Sequence, residues 1–313
     1  MNELGAMLTD TVTRLLGAEV TKETLQAAEA GTWPAALWHA LETNGLTRPL
    51  VPEADGGAGG TWGDAHVLLR AAGRHAAPVP LAETIVAGAL LTRAGLPVPE
   101  GPLTVAPVRP GEELHLARRG GAWSLAGTAT RVPWGNAAAH AAVVAQREGI
   151  PHLALVATGG VERVPGRNLA LEPRDTLVLD RAQVVAAAPL ADGGAVWRLG
   201  ALVRAAQMAG ALESLLEQSV RYANERVQFG RPVGRFQAVQ QQLAVLAEHA
   251  AAAGIAAEVA CRAAEHGDAA FEIAAAKVRA GDAVRAGTGI AHQVHGAIGF
   301  TYEHTLHFST RRL

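Results

Sequence analysis

The chain has 313 residues, of which 18% are charged, and a formal net charge of −2. That balance excludes a polyanion-binding surface, so no nucleic-acid partner is expected. The single cysteine, Cys261, excludes an internal disulfide and a CxxC metal site, and it fits a reducing cytoplasm.

Such a length can bury a large core and suggests two or three domains. The opening MNELGAMLTD is acidic and lacks the basic start of a signal peptide. No stretch of about 18 apolar residues free of polar breaks is read, so no membrane span is expected.

Residues 1–102 read as helices joined by Gly/Pro-rich turns. Trp33-Pro34-Ala35-Ala36-Leu37-Trp38 opens one helix, with Thr32 as its N-cap and Pro34 in its first turn. It ends near Asn44-Gly45, where glycine can take the left-handed conformation. The loop Pro52 to Gly60 then leads to an apolar helix around Ala65 to Ala72. Its glycines have no strand before them and no Lys-Ser/Thr after them, so they read as a flexible turn rather than a phosphate cradle.

Between 103 and 190 the texture changes to short runs rich in Val, Leu and Thr, separated by Gly, Pro and Asp. They are Trp123-Ser124-Leu125, Ala142-Val143-Val144-Ala145, His152 to Val156 and Thr176 to Leu179. Such runs predict a small β-barrel or sandwich. No helix alternates with them, which argues against a doubly wound nucleotide fold.

From 191 onward the chain reads as helical. Leu199, Leu202, Val203, Ala206, Ala209 and Gly210 step at three and four residues, as do Phe236, Val239, Leu243, Leu246 and Ala250. A third helix is expected from Ala269 to His292. Ala and Gly dominate these faces, which suits a four-helix bundle that also packs against other subunits.

Two segments carry chemistry. Arg226-Val227-Gln228-Phe229-Gly230-Arg231-Pro232 places a guanidinium and an aromatic ring at a helix end, a combination suited to a phosphate and a flat ring. An ordinary helix terminus with a core Phe is the alternative. Gln293-Val294-His295-Gly296-Ala297-Ile298-Gly299-Phe300 offers a glycine for close backbone approach, or simply a tight turn. His292, His295, His304 and His307 contain HxxH spacings; no carboxylate–water arrangement like HExxH accompanies them, and no metal is assigned.

In this order and separation the two segments resemble the C-terminal helical domain of the acyl-CoA dehydrogenases. The N-terminal succession of helix, Gly-Leu, Val-Pro-Glu and Gly-Gly-Xaa-Gly is similar to that family's start. The runs Trp123 to Ala145 and Arg174 to Asp180 look like its middle domain. The resemblance implies an α+β multidomain fold: an N-terminal helical domain (1–102), a middle β-barrel (103–190) and a C-terminal four-helix bundle (191–313). It also implies FAD as cofactor, with Arg226, Gln228, Phe229, Gln237, Gln293 and Gly296 as flavin-contacting residues, and an acyl-CoA substrate. An electron-transfer flavoprotein or similar acceptor follows by the same resemblance.

The sequence departs from the family pattern where catalysis is concerned. The reaction needs a carboxylate base with a raised pKa. The family's Tyr-Glu-Gly-Thr segment lies downstream of the Gly-rich motif, and this sequence stops at Leu313. The alternative position, early in the helix leading to Arg226, falls on Gly200 and Ala201. Glu303 is the obvious remaining carboxylate; Glu213 and Glu217 suit the role less. Gly296 is followed by Ala297 instead of a second glycine. The Thr-Glu-Pro and Gly-Ser loop that touches the flavin ring is unrecognisable from Val105 to Glu112. Arg131 replaces the ring-packing Trp, with Trp134 out of register.

Shortened, base-less members resemble one subunit of heteromeric α2β2 acyl-CoA dehydrogenases of steroid side-chain degradation, where a paralogous partner supplies the base. A self-sufficient homo-oligomer using Glu303 and a flavin-free scaffold are the competing expectations.

Overall fold

The computed structural model describes residues 3–106, 108–109 and 111–313. Helices come first: α1 (Glu3–Glu19), α2 (Lys22–Glu29), α3 (Ala35–Thr43), α4 (Trp62–Arg74) and α5 (Leu81–Arg93). Seven strands follow, β1 (Leu103–Ala106), β2 (His115–Arg119), β3 (Ala122–Pro133), β4 (His140–Arg147), β5 (Ile150–Ala157), β6 (Glu162–Val164) and β7 (Arg174–Pro189). Then come α6 (Ala195–Glu225), the strand pair β8 (Val227–Gln228) and β9 (Arg231–Pro232), α7 (Gln237–Ala264), α8 (Ala270–His295) and α9 (Leu306–Thr310). Helix, sheet and helix thus succeed one another as the sequence texture implies.

The strands close on themselves. β2 pairs with β3, β3 with β7, β7 with β5 and β5 with β4, all antiparallel; one parallel pairing of β2 with β4, at His115 and Gln146, completes the ring. Period-two alternation turns Leu125, Ala129, Val143, Val156, Leu177 and Leu179 into the interior. Asp175 is buried on β7 and accepts hydrogen bonds from the backbone N–H of Asn136 (2.8 Å) and Gly166 (3.3 Å), so its charge is satisfied by chain turns. Helix α5 is buried over most of its length. Its Thr84 hydroxyl donates to the Leu103 carbonyl and accepts from the Leu103 N–H, tying the helix to β1.

The chain divides into two compact units. One holds residues 27–61 and 78–200, including the barrel; the other assembles residues 1–26, 62–77 and 201–313. In the second unit, Leu25, Ala76 and Phe308 share one apolar cluster. Leu212 of α6, Ala250 and Ala253 of α7, and Ala280 and Ala283 of α8 form another. Alanine at these contacts lets the helix backbones approach closely.

Among the described residues, three long helices come from beyond residue 191, and α4 packs against two of them. It packs on α7 and meets α6 at glycines: a Cβ at Gly210 would lie 1.9 Å from the Arg70 carbonyl, and one at Gly73 would lie 1.9 Å from the Gln207 carbonyl.

Several local expectations change. Pro34, not Thr32, occupies the N-cap position of α3, and no side chain caps it. The Gly loop after Pro52 is bonded to itself: Gly57 N–H reaches the Pro52 carbonyl, Ala58 N–H that of Arg48, Gly59 N–H that of Val51 and Gly60 N–H that of Pro49. With those donors consumed the glycines have none to offer a phosphate, and the turn is tied down rather than free. Helix α7 is long and apolar enough, by length and composition, to cross a membrane, although Glu248 and Glu258 interrupt it, so it is not an apolar stretch free of polar breaks. Its hydropathy comes largely from alanine, and Leu246, Ala250, Ala253, Ala257 and Ala260 lie buried. The signal-peptide reading falls partly on residues 1–2, outside the described residues.

Candidate functional site

The Arg226 segment does not continue a helical last turn. Helix α6 ends at Glu225, and β8 and β9 then form a hairpin in which Val227 faces Pro232 and Gln228 faces Arg231. The two-residue loop is Phe229-Gly230, with φ of 51° and 77°; positive φ at both positions is the mark of a type I′ turn. Gly230 therefore serves as the second turn residue, and Phe229 sits at the hairpin tip, 92% exposed. A bulky residue in this backbone region is strained and points to a role outside the folded chain's own packing. Phe236 lies edge-on to Phe229, and the Arg231 guanidinium stands 4.3 Å over the Phe236 ring.

At the end of α8, Gly296 adopts φ 62°, ψ −144°, a combination for which glycine is suited. It turns the chain into a 3-10 turn, Gly296–Phe300. Between this turn, the end of α6 and the start of α7 lies a cleft of about 630 Å³. Arg226, Gln228, Gln293 and Gly296 line it together. Phe229 and Gln237 do not: Phe229 projects from the hairpin tip, and Gln237 is exposed at the first position of α7.

Tyr222, which lines the cleft, escaped the sequence reading. Tyr222 stacks on His295 with ring centroids 4.6 Å apart, and His304 meets His295 edge-on at 4.6 Å. His295 Nδ1 lies 2.7 Å from the Ala291 carbonyl, which can only accept, so Nδ1 carries the hydrogen. Its Nε2 is left as an acceptor, buried and without a partner among the described residues. Burial pushes the His295 imidazole below its ordinary pKa, and does the same to His292 and His304. The step from Tyr222 to Arg226, four residues on α6 and its exit, was the available signal for Tyr222.

The histidine-rich tail is thus an aromatic cluster: His292 stacks on Phe300 at 4.4 Å, and Tyr302 lies edge-on to His307. No group of three or more His, Cys, Asp or Glu among the described residues is arranged around a metal position.

The carboxylates are placed as follows. Glu213 accepts from Arg70 at 2.8 and 3.0 Å, and Glu217 takes a two-pronged bond from Arg74 at 2.7 Å. Glu303 is exposed, outside the cleft, with its carbonyl accepting from Lys22 Nζ at 3.0 Å. Among the described residues, no Asp or Glu lines the cleft.

A nucleotide's phosphates fit these residues: Arg226 has no ionic partner among the described residues, and the cleft adds amide side chains and a glycine turn. The residues at the family's ring-contacting positions do not fit as well. Arg131 is exposed on left-handed backbone. Trp134 is buried and packs against Trp33 within its own unit. Of the ring loop, Pro107 and Pro110 lie outside the described residues, while Glu112 accepts from the Thr130 hydroxyl and the Arg109 N–H.

Comparison with known proteins agrees with this geometry. The family described as acyl-CoA dehydrogenase, C-terminal domain, matches residues 198–312, and its N-terminal domain matches residues 2–97. The acyl-CoA dehydrogenase IpdE2 of Mycobacterium tuberculosis is 30% identical over 98% of this chain and 89% of its own length. The chain belongs to the acyl-CoA dehydrogenase family.

Membership assigns it to oxidoreductases that act on acyl-CoA thioesters, a family that generally binds FAD. Among solved structures, the ChsE4-ChsE5 complex from Mycobacterium tuberculosis contains a chain 28% identical to it. The two superpose with a TM-score of 0.91, over all of this chain and 92% of that one. A steroid ACAD, the Tcur3481-Tcur3483 G363A variant, is likewise 28% identical, with a TM-score of 0.88 over 99% of this chain and 91% of that one.

Proposed function

We propose that the chain is one subunit of a heteromeric FAD-dependent acyl-CoA dehydrogenase. It contributes the nucleotide-binding half of a flavin site at an interface, and a paralogous partner in an α2β2 assembly supplies the base. The carrying observation is a cleft that gathers Arg226, Gln228, Gln293 and Gly296 yet, among the described residues, is lined by no carboxylate. Two solved structures similar to this chain are two-protein assemblies by name, and one of them is a steroid enzyme. A bulky acyl-CoA of the steroid side-chain kind is therefore the substrate class proposed, with an electron-transfer flavoprotein or similar acceptor and a cytoplasmic setting.

The residues divide the work by chemistry. Arg226 offers paired N–H donors to a pyrophosphate oxygen pair. Gln228 and Gln293 offer amide donors and acceptors beside it, and Gly296 lets a ligand approach the backbone. Tyr222 and His295 form a stacked, uncharged wall: burial keeps the imidazole neutral, so it presents no second positive charge. Bound FAD supplies the hydride acceptor of the reaction. The α-proton must leave to a carboxylate that this chain does not place at the cleft. Glu213 and Glu217 are held by arginines, and Gly200 and Ala201 have no acceptor side chain.

The test is the flavin absorption of the chain purified alone and after co-expression with a paralogue that carries the base. Flavin retained only in the co-purified assembly, and lost when Arg226→Ala is introduced, is the expected result. A yellow chain that oxidises an acyl-CoA unaided and loses that activity with Glu303→Gln would establish the homo-oligomeric enzyme instead. An assembly that stays colourless would establish a scaffold.

A further inference from the structure

His295 closes α8, and the chain itself uses only one side of its imidazole. The residue is 2% exposed. Nδ1 donates to the Ala291 carbonyl, so the lone pair of the neutral ring lies on Nε2. Its neighbours offer no hydrogen to that lone pair. Tyr222 stacks on the face of the ring, and His304 meets it edge-on while its own Nδ1 accepts from the Leu306 N–H at 3.1 Å. Nε2 is therefore a buried acceptor without a partner among the described residues. Such a group is costly to leave unmade, and folded chains rarely bury one without a purpose.

His295 lines the same cleft as Arg226, Gln228 and Gln293. The Arg226 N–H bonds to the Tyr222 carbonyl at 2.8 Å, so Arg226 stands one helical turn beyond the residue that stacks on His295. The two groups ask opposite things of a ligand. A guanidinium takes acceptor oxygens, whereas Nε2 takes a hydrogen. The doubly esterified pyrophosphate of a dinucleotide satisfies the first and has no hydrogen for the second. A ligand that meets both carries a hydroxyl or amino group a few bonds from its phosphates. The adenosine of FAD has such groups in its ribose hydroxyls and its 6-amino group.

We propose that His295 is a specificity-determining residue of the flavin site, whose Nε2 accepts a hydrogen bond from the adenosine while Arg226 holds the phosphates. The inference rests on the flavin reading and adds to it the direction of the nucleotide, with adenosine toward the Tyr222–His295 wall. Burial keeps the ring neutral, as an acceptor must be.

The experiment is calorimetric titration of the full chain with its co-expressed partner, stripped of flavin, against ADP, 2′-deoxy-ADP, 3′-deoxy-ADP and inosine diphosphate. One analogue is expected to bind about ten-fold more weakly than ADP, and its identity names the donor. His295→Phe keeps a ring against Tyr222; it should bind ADP about ten-fold more weakly and erase the preference for ADP over that analogue. His295→Gln retains an acceptor oxygen and should recover part of both. The preference, rather than the affinity, is the deciding readout, because a variant that merely packs badly loses all four nucleotides alike. Equal binding of the four by wild type, which leaves solvent as the donor to Nε2, or an undiminished preference in His295→Phe would overturn the proposal. Arg226→Ala tells its failure from that of the flavin reading. ADP binding that is absent in wild type, or unaffected by Arg226→Ala, overturns both; binding that needs Arg226 but shows no preference overturns the His295 assignment alone.

Discussion

Phe229 separates a folding role from a binding role with one substitution, Phe229→Asn. The residue occupies the first position of a type I′ turn at φ 51°, a conformation that costs a bulky L-residue roughly 1–2 kcal/mol and that asparagine tolerates. The compensating contact is the edge-on Phe236 ring at 6.1 Å; with Phe229 so exposed, it is worth no more than about 0.5 kcal/mol. Asparagine should therefore stabilise the chain by about 0.5–1.5 kcal/mol, a rise of roughly 1–3 °C in melting temperature. If the ring instead covers a bound nucleotide or its neighbour, removing it forfeits the burial of a phenyl group, about 1.5–3 kcal/mol, and weakens flavin retention about ten- to hundred-fold. Differential scanning fluorimetry and flavin dissociation on the same preparation read the two effects. A variant that melts lower than wild type, or that retains flavin equally well, refutes the argument.

Further outcomes follow from packing and charge. Gly210→Ala sets a Cβ against the Arg70 carbonyl and must force α4 from α6, so a loss of roughly 2–4 kcal/mol is expected in urea unfolding; Gly254→Ala, whose nearest atom is 3.7 Å away, should be neutral or slightly stabilising. Gly296→Ala places a side chain on backbone at φ 62°, ψ −144° and should cost about 1–3 kcal/mol in the same measurement. Burial lowers the His66 pKa to about 4. The unfolded chain takes up this proton first, so stability is full above about pH 6.5 and falls towards pH 4, by up to roughly 3 kcal/mol. His66→Gln should flatten that part of the pH–stability curve; an unchanged slope would remove His66 as the cause.

The sequence revealed what periodicity encodes and concealed what depends on tertiary partners. Helices α6 and α7 and the strands of the barrel follow from apolar spacing, because burial of one face imposes that spacing directly. The hairpin after Glu225 did not: Phe at a left-handed position carries no turn signal, and only Gly230 hinted at it. Pro34 took the N-cap that Thr32 was expected to hold, since neighbouring positions compete for a helix start by a margin smaller than tertiary packing. Of the candidate cofactor residues, Arg226, Gln228, Gln293 and Gly296 share a cleft, although about 65 residues separate the two segments. Tyr222 and His295 were missed as a stacked pair because their contact joins α6 to α8. The packing of α4 on α6 and α7 is a long-range pairing that no local window contains.

The unit that contains the cleft is drawn from the first 26 residues, from 62–77 and from everything after 200. During synthesis this order has a cost in time. The apolar residues of α2 and α4 emerge early, and their partners in α6, α7 and α9 are made last. At about 5–20 residues per second, the interval is roughly ten to fifty seconds. For that period Leu25 and Ala76 have no Phe308 to close over them, while residues 78–200 can already be folding. The newborn chain is therefore most exposed to aggregation and to holding chaperones in its N-terminal quarter. A deletion at the far C-terminus would be felt first by residues encoded at the very start.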